Sequence, residues 1–102
     1  MASEQYYRGG NNLKPWPDEV KIDPLTGLVQ TTHGVSVWNH LDNLERFGGA
    51  YRVVSVPEEL RIIRRGRNPA HFEIVPVTPM PFAEYEDALM KVVLVPAMQE
   101  AE

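Results

Sequence analysis

Four polar side chains stand inside runs of β-forming residues, where folding alone has no use for them: Arg8, Ser36, His71 and Glu73. His71 and Glu73 are two apart with Phe72 between them, so in a strand both leave one face and Phe72 leaves the other. An imidazole beside a carboxylate can take and return a proton, and the carboxylate can face a developing positive charge. The same pair would also suit the solvated face of an edge strand. Arg8 ends the run Gln5-Tyr6-Tyr7-Arg8 and is followed by Gly9 and Gly10. A guanidinium forks onto phosphate oxygens, and glycines beside it admit a bulky ligand, so Arg8 with Gly9 reads as an anion clamp or as half of a surface ion pair. Ser36 alternates with Val35 and Val37 in Gly34-Val35-Ser36-Val37-Trp38, the period of a half-buried strand, and so points away from both. That strand is expected to floor a nucleotide pocket, with Ser36 as a hydrogen-bonding wall group rather than a nucleophile.

Other chemistries are thinly supplied. Cysteine is absent, which removes disulfides, thiolate metal sites and cysteine nucleophiles together. His33, His40 and His71 lack the HxxxH and HExxH spacings, so no metal site is expected. Neither a Walker loop nor a GxGxxG run is present, and the Ser36 segment lacks the second glycine of a nucleophile elbow. The formal net charge of -4 argues against a general grip on nucleic acid, which draws on many cationic contacts to phosphate. Six of the ten basic residues fall between Arg46 and Arg67; the run Arg61, Arg64, Arg65, Arg67 reads as a solvated strand edge or a local phosphate-facing patch. The longest apolar-leaning run, residues 89–98, is broken by Lys91 and Pro96 and is too short to cross a bilayer. The first residues lack the basic and apolar regions of a secretory signal, and a cytoplasmic location is expected.

These side chains need elements to hold them. At 102 residues with 43% apolar composition, one domain with one core is expected over residues 1–96, with a mobile acidic tail over 97–102. Strands are predicted at residues 5–8, 20–22, 28–30, 50–56, 60–64 and 70–75, besides the one carrying Ser36, because β-branched and aromatic runs alternate with Gly, Pro, Asn and Asp punctuation. Residues 9–19 read as a long loop that wraps a pocket mouth, or in which Trp16, fixed between Pro15 and Pro17, plugs the core. Asn39 would cap a short helix over 40–47, closed by Gly48-Gly49. A last helix from Phe82 to about Val93 would pack Phe82, Tyr85, Leu89 and Val92 or Val93 on the sheet. Connections of hairpin length cannot make parallel crossovers, so the expected architecture is α+β, a split or strongly bent, mainly antiparallel sheet with two short helices. A small open barrel is the alternative.

Three blocks carry a resemblance. Thr26-Gly27 through Gly34-Val35-Ser36-Val37-Trp38, then Val56-Pro57-Glu58-Glu59-Leu60-Arg61-Ile62, then His71-Phe72-Glu73-Ile74-Val75-Pro76 with Pro79-Met80, resemble in order a family of bacterial type VI secretion effector toxins (Tse-type) with an ADP-ribosyltransferase-like fold. The likeness covers about residues 24–95, and Tyr6-Tyr7-Arg8-Gly9 looks like the Tyr-Arg start common to ADP-ribosyltransferases. The resemblance implies NAD as substrate. It implies that Arg8 binds the diphosphate or nicotinamide ribose, that Ser36 braces the pocket, that His71 contacts a ribose, and that Gly9 and Trp38 complete the NAD-binding set. Glu73 is assigned by chemistry: it stands where the toxin block has Thr, and a late-strand Glu can hold a ribose hydroxyl and face an oxocarbenium-like transition state. Val35 stands where the toxins have Thr, and the segment between Arg8 and Ser36 is shorter than theirs.

Implied with the family are a cognate immunity or antitoxin protein, a macromolecular acceptor of ADP-ribose, and delivery into a neighbouring cell's cytoplasm by a secretion system. The enzyme requires Arg8, Ser36 and Glu73 to converge on one cleft. The alternatives are a non-catalytic toxin or interaction module of the same fold, and a small ribonuclease toxin in which His71 and Glu73 act as acid and base while Arg61 to Arg67 hold phosphate.

Overall fold

β-Branched and aromatic residues set the strands, and Gly and Pro end them. The computed structural model describes residues 5–11, 13–40 and 49–97. In chain order the elements are β1 (Tyr7–Gly9), a 3-10 turn (Pro17–Glu19), β2 (Leu28–Val29), β3 (Val35–Trp38), β4 (Ala50–Ser55), β5 (Leu60–Arg64), β6 (His71–Pro76), β7 (Met80–Pro81), α1 (Phe82–Leu89) and β8 (Val93–Pro96). Six strands form one sheet in the order β5-β6-β3-β1-β4-β8, and β2 pairs with β7 in a second, two-stranded sheet. Every pairing is antiparallel, as the short connections require. The domain is α+β, a mainly antiparallel sheet with one helix among the described residues.

The middle of the large sheet is its thinnest seam. β1 meets β3 at one register position, Tyr7 opposite Trp38, whereas β3 pairs with β6 over four positions and β1 with β4 over three. The turn at Pro57, closed by the Leu60 amide on the Pro57 carbonyl at 3.0 Å, does not make β4 and β5 neighbours; three strands lie between them. β5 and β8 are the two edges of the sheet, so it remains open rather than closing as a barrel.

One face of the sheet carries the main core. Val35, Val37, Leu60, Phe72 and Ile74 pack there against Tyr85, Ala88 and Leu89 of α1, with Leu13, Val29 and Met80 completing the cluster. The opposite face has a smaller cluster, Ala50 and Ala97 with Tyr7 and Trp38.

Three expectations change. The last helix stops at Leu89, where the amides of Lys91 and Val92 reach back three residues to Ala88 and Leu89 and tighten the final turn. Val93, Leu94 and Val95 then pair with β4, because a β-branched run beside an open strand edge gains more from the ladder than from another helical turn. The strand expected at 20–22 reduces to a single bridge between Ile22 and Val29. Trp16 plugs nothing: it is 71% exposed, and Leu13 and Pro15 are the buried residues of that loop. The helix expected over 40–47 lies almost wholly outside the described residues, as does the tail beyond Ala97, which is itself buried and donates its amide to the Ala50 carbonyl at 2.9 Å.

Candidate functional site

The register of β3 against β6 decides which side chains meet. Ser36 lies opposite Glu73, and Trp38 opposite His71. Opposed residues in a ladder share a face, so these four leave the sheet together, away from Val35, Val37, Phe72 and Ile74. Ser36 Oγ and His71 Nε2 are 2.9 Å apart on the diagonal of this square. His71 Nδ1 lies 2.8 Å from the Arg65 carbonyl oxygen. A carbonyl only accepts, so Nδ1 carries the hydrogen, and in the neutral ring Nε2 accepts the Ser36 hydroxyl proton. The Trp38 ring leans on the imidazole with centroids 4.8 Å apart at 54°.

Glu73 is 4% exposed. Its Oε1 accepts the Gly34 amide at 2.9 Å and Arg65 Nε at 2.9 Å, while Oε2 is 3.6 Å from His71 Nε2. A buried carboxylate persists as an ion only with such partners. Arg65 is 41% exposed along its side chain, so this pair straddles the protein surface.

Gly34 is fixed by what stands against it. A Cβ there would fall 1.9 Å from the Ile74 carbonyl oxygen and 2.5 Å from the Tyr85 hydroxyl, so the close approach, not a turn, excludes a side chain. Tyr85 comes up from α1 on the core side. Its hydroxyl accepts the Val35 amide at 3.0 Å and donates to the Ile74 carbonyl, bridging two residues that face each other in the ladder. Burial pushes the phenol well above its ordinary range, which keeps it protonated and able to donate.

Arg8 is placed differently. It lies opposite Tyr51, and its neighbour Tyr7 lies opposite Trp38, so alternation sends Arg8 out of the face away from Ser36, His71 and Glu73. Its Nη1 donates to the Ser36 carbonyl oxygen at 2.7 Å, at the seam where β1 and β3 part. Burial lowers its affinity for the proton, with Glu19 and Tyr85 opposing that shift. Gly9 pairs with Ala50 in β4.

Of the residues expected to act together, Ser36, Trp38, His71 and Glu73 share one face, whereas Arg8 leaves the opposite face and donates to the Ser36 carbonyl oxygen, so the expected convergence of Arg8, Ser36 and Glu73 on one cleft is not met. Sequence reasoning placed Arg65 in a basic run and Tyr85 on a packing face, and missed the bond each makes at the site and the reason for Gly34. Arg65 follows from the hairpin register, in which Ile63 pairs with Glu73 and Arg65 has the same parity, and that register has no signal in the sequence. Tyr85 reaches across 50 residues and left no local signal. A cavity of ≈ 830 Å³ lies elsewhere, between the loop at Leu13 and Pro15, the end of α1 at Leu89 and Met90, and Tyr51 and Leu94 of the sheet. Among the described residues no group of three or more His, Asp or Glu is placed to hold a metal ion, and no helix is long and apolar enough to cross a membrane. No known family model, curated protein or solved structure matches the chain.

Proposed function

We propose that the chain is an ADP-ribosyltransferase-like toxin domain that takes NAD against the face carrying Ser36, Trp38, His71 and Glu73, with Arg65 on that face in the place the resemblance gave to Arg8, whose expected convergence with Ser36 and Glu73 is not met. The observation that carries this reading is the contact of Ser36 with His71 and the approach of His71 to Glu73, which brings three of the four polar side chains singled out in the sequence together on two neighbouring strands. The one-position seam between β1 and β3 is in keeping with the split sheet such a fold has.

In the proposed reaction the bond between nicotinamide and its ribose breaks, and its electron pair leaves on the nicotinamide nitrogen. The ribose carbon gains positive charge, and the ionised Glu73 carboxylate lowers the energy of that state in a site of low dielectric. Oε1 is held by Gly34 and Arg65, so Oε2 is the oxygen turned to the ligand. His71 Nε2 and Ser36 Oγ offer partners to a ribose hydroxyl, and Trp38 offers an aromatic face to a ring. An acceptor nucleophile, from a macromolecule or water, bonds to the carbon and gives up its proton. Arg65 supplies the cation on this face; Arg8 holds the β3 main chain from behind instead of clamping the diphosphate. An immunity protein that covers this face and delivery by a secretion system belong to the same proposal.

A non-catalytic interaction module of the same fold is the second reading. It is favoured by the double hold on Glu73 Oε1 and by the departure of Arg8 from the opposite face. Expression in bacteria separates the two. The enzyme reading expects growth arrest with a fall in cellular NAD, both lost in Glu73→Gln and His71→Ala; arrest that survives both substitutions with NAD unchanged supports the module.

A further inference from the structure

The geometry points to a second capacity: we infer that Ser36 is a base-activated nucleophile, open to modification by an electrophile of the phosphoryl or phosphonyl class bearing a good leaving group. An isolated serine hydroxyl reacts slowly because its proton has nowhere to go. Here it has a destination, since Oγ donates to His71 Nε2 at 2.9 Å and the far ring nitrogen is anchored on the Arg65 carbonyl at 2.8 Å. Nucleophile, base and orienting group in series are the arrangement that activates a hydroxyl, whichever group serves as the third. The imidazolium formed when the proton moves is met by Glu73 Oε2, 3.6 Å from the same nitrogen. Trp38 fixes the ring's tilt from the side. Arg65 brings a partly exposed guanidinium to the same face, where it can stabilise the negative charge that builds on a phosphoryl oxygen. The amides of Gly34 and Val35 are committed to Glu73 and Tyr85, so neither is free to serve a tetrahedral acyl oxyanion. This inference does not depend on NAD being the substrate.

With a fluorophosphonate the step balances simply. The Oγ–P bond forms, the P–F bond breaks, fluoride leaves with the electron pair, and the hydroxyl proton passes to His71 Nε2. The full chain is incubated with an alkyl fluorophosphonate, and the adduct is located by peptide mass spectrometry. An adduct at Ser36 is expected, formed at least about 100-fold more slowly in His71→Gln, the low end of what general-base assistance contributes. No adduct at Ser36, or an equal rate in His71→Gln, overturns the inference. Because that variant also loses the bond to Arg65, a second chain keeps His71 and carries Ser36→Cys. Its thiol is expected to react with iodoacetamide well below the ordinary thiol range of about pH 8.5, as a thiolate paired with an imidazolium does. A rate that rises only in that ordinary range overturns the inference as well.

Discussion

Glu73 has two duties that pull in different directions. It holds the Gly34 amide and Arg65, so it locks the entry to β3, and it presents Oε2 toward His71. Glu73→Ala leaves a buried amide without an acceptor and Arg65 without its partner; the expected loss is about 2–3 kcal/mol, the cost of one orphaned buried donor with a further share for a half-exposed cation. Glu73→Gln keeps an acceptor for Gly34, and urea denaturation should show it losing clearly less than the alanine variant. Gly34→Ala meets a backbone oxygen, which cannot swing aside as a side chain can. An expected loss of about 3 kcal/mol or more follows from overpacking against fixed atoms, and a variant within experimental error of the parent would refute this account of Gly34. The residue types and the shared face of His71 and Glu73 were legible in the sequence, because a two-residue spacing in a strand fixes the face. The partners were not, since the Arg65 pair depends on hairpin register and the Tyr85 bridge on where α1 docks.

At the scale of elements, α1 is tied to the site by a single hydroxyl. Tyr85→Phe keeps the ring in the core and removes only the bridge between Val35 and Ile74. A loss of about 2–4 kcal/mol is expected, since two buried backbone groups lose a partner, and amide exchange at Val35 should speed up; an unchanged exchange rate would mean β3 and β6 close the gap by themselves. The strand runs were readable because alternation and turn residues agree. The end of α1 was not, because Val92 and Val93 satisfy helical spacing and β-propensity alike, and the choice falls to the edge of β4, which no local pattern discloses. Near that end Lys91 donates to Glu59 at 2.7 Å, joining the helix end to the segment before β5. This bond holds the exposed Glu59 carboxyl below its ordinary range, so its stabilising effect is present at neutral pH and fades as pH falls through that lowered value. The effect is small and screened by salt. Lys91→Ala should flatten the acid limb of a Tm-against-pH curve at low ionic strength and do nothing in high salt.

Across the whole molecule, a Cα radius of gyration of 13.6 Å sits close to the roughly 13 Å of a compact domain of this size. α+β class and antiparallel pairing followed from composition and connection lengths. Strand order did not follow, because the link between β4 and β5 has the length of a hairpin and yet joins strands that are not neighbours. The two faces then divide the labour: α1 and the core lie on one side with Arg8, and Ser36, Trp38, His71 and Glu73 lie on the other. The proposed function stands or falls on that second face. Its most direct test is release of nicotinamide from NAD by the purified protein, measured beside Glu73→Gln and Arg8→Ala preparations shown to be folded. The account predicts release by the parent chain, a drop of about 100-fold or more in Glu73→Gln, and a smaller drop in Arg8→Ala, whose side chain leaves the opposite face of the sheet. No release by the parent chain, or equal release by parent and Glu73→Gln, would contradict it.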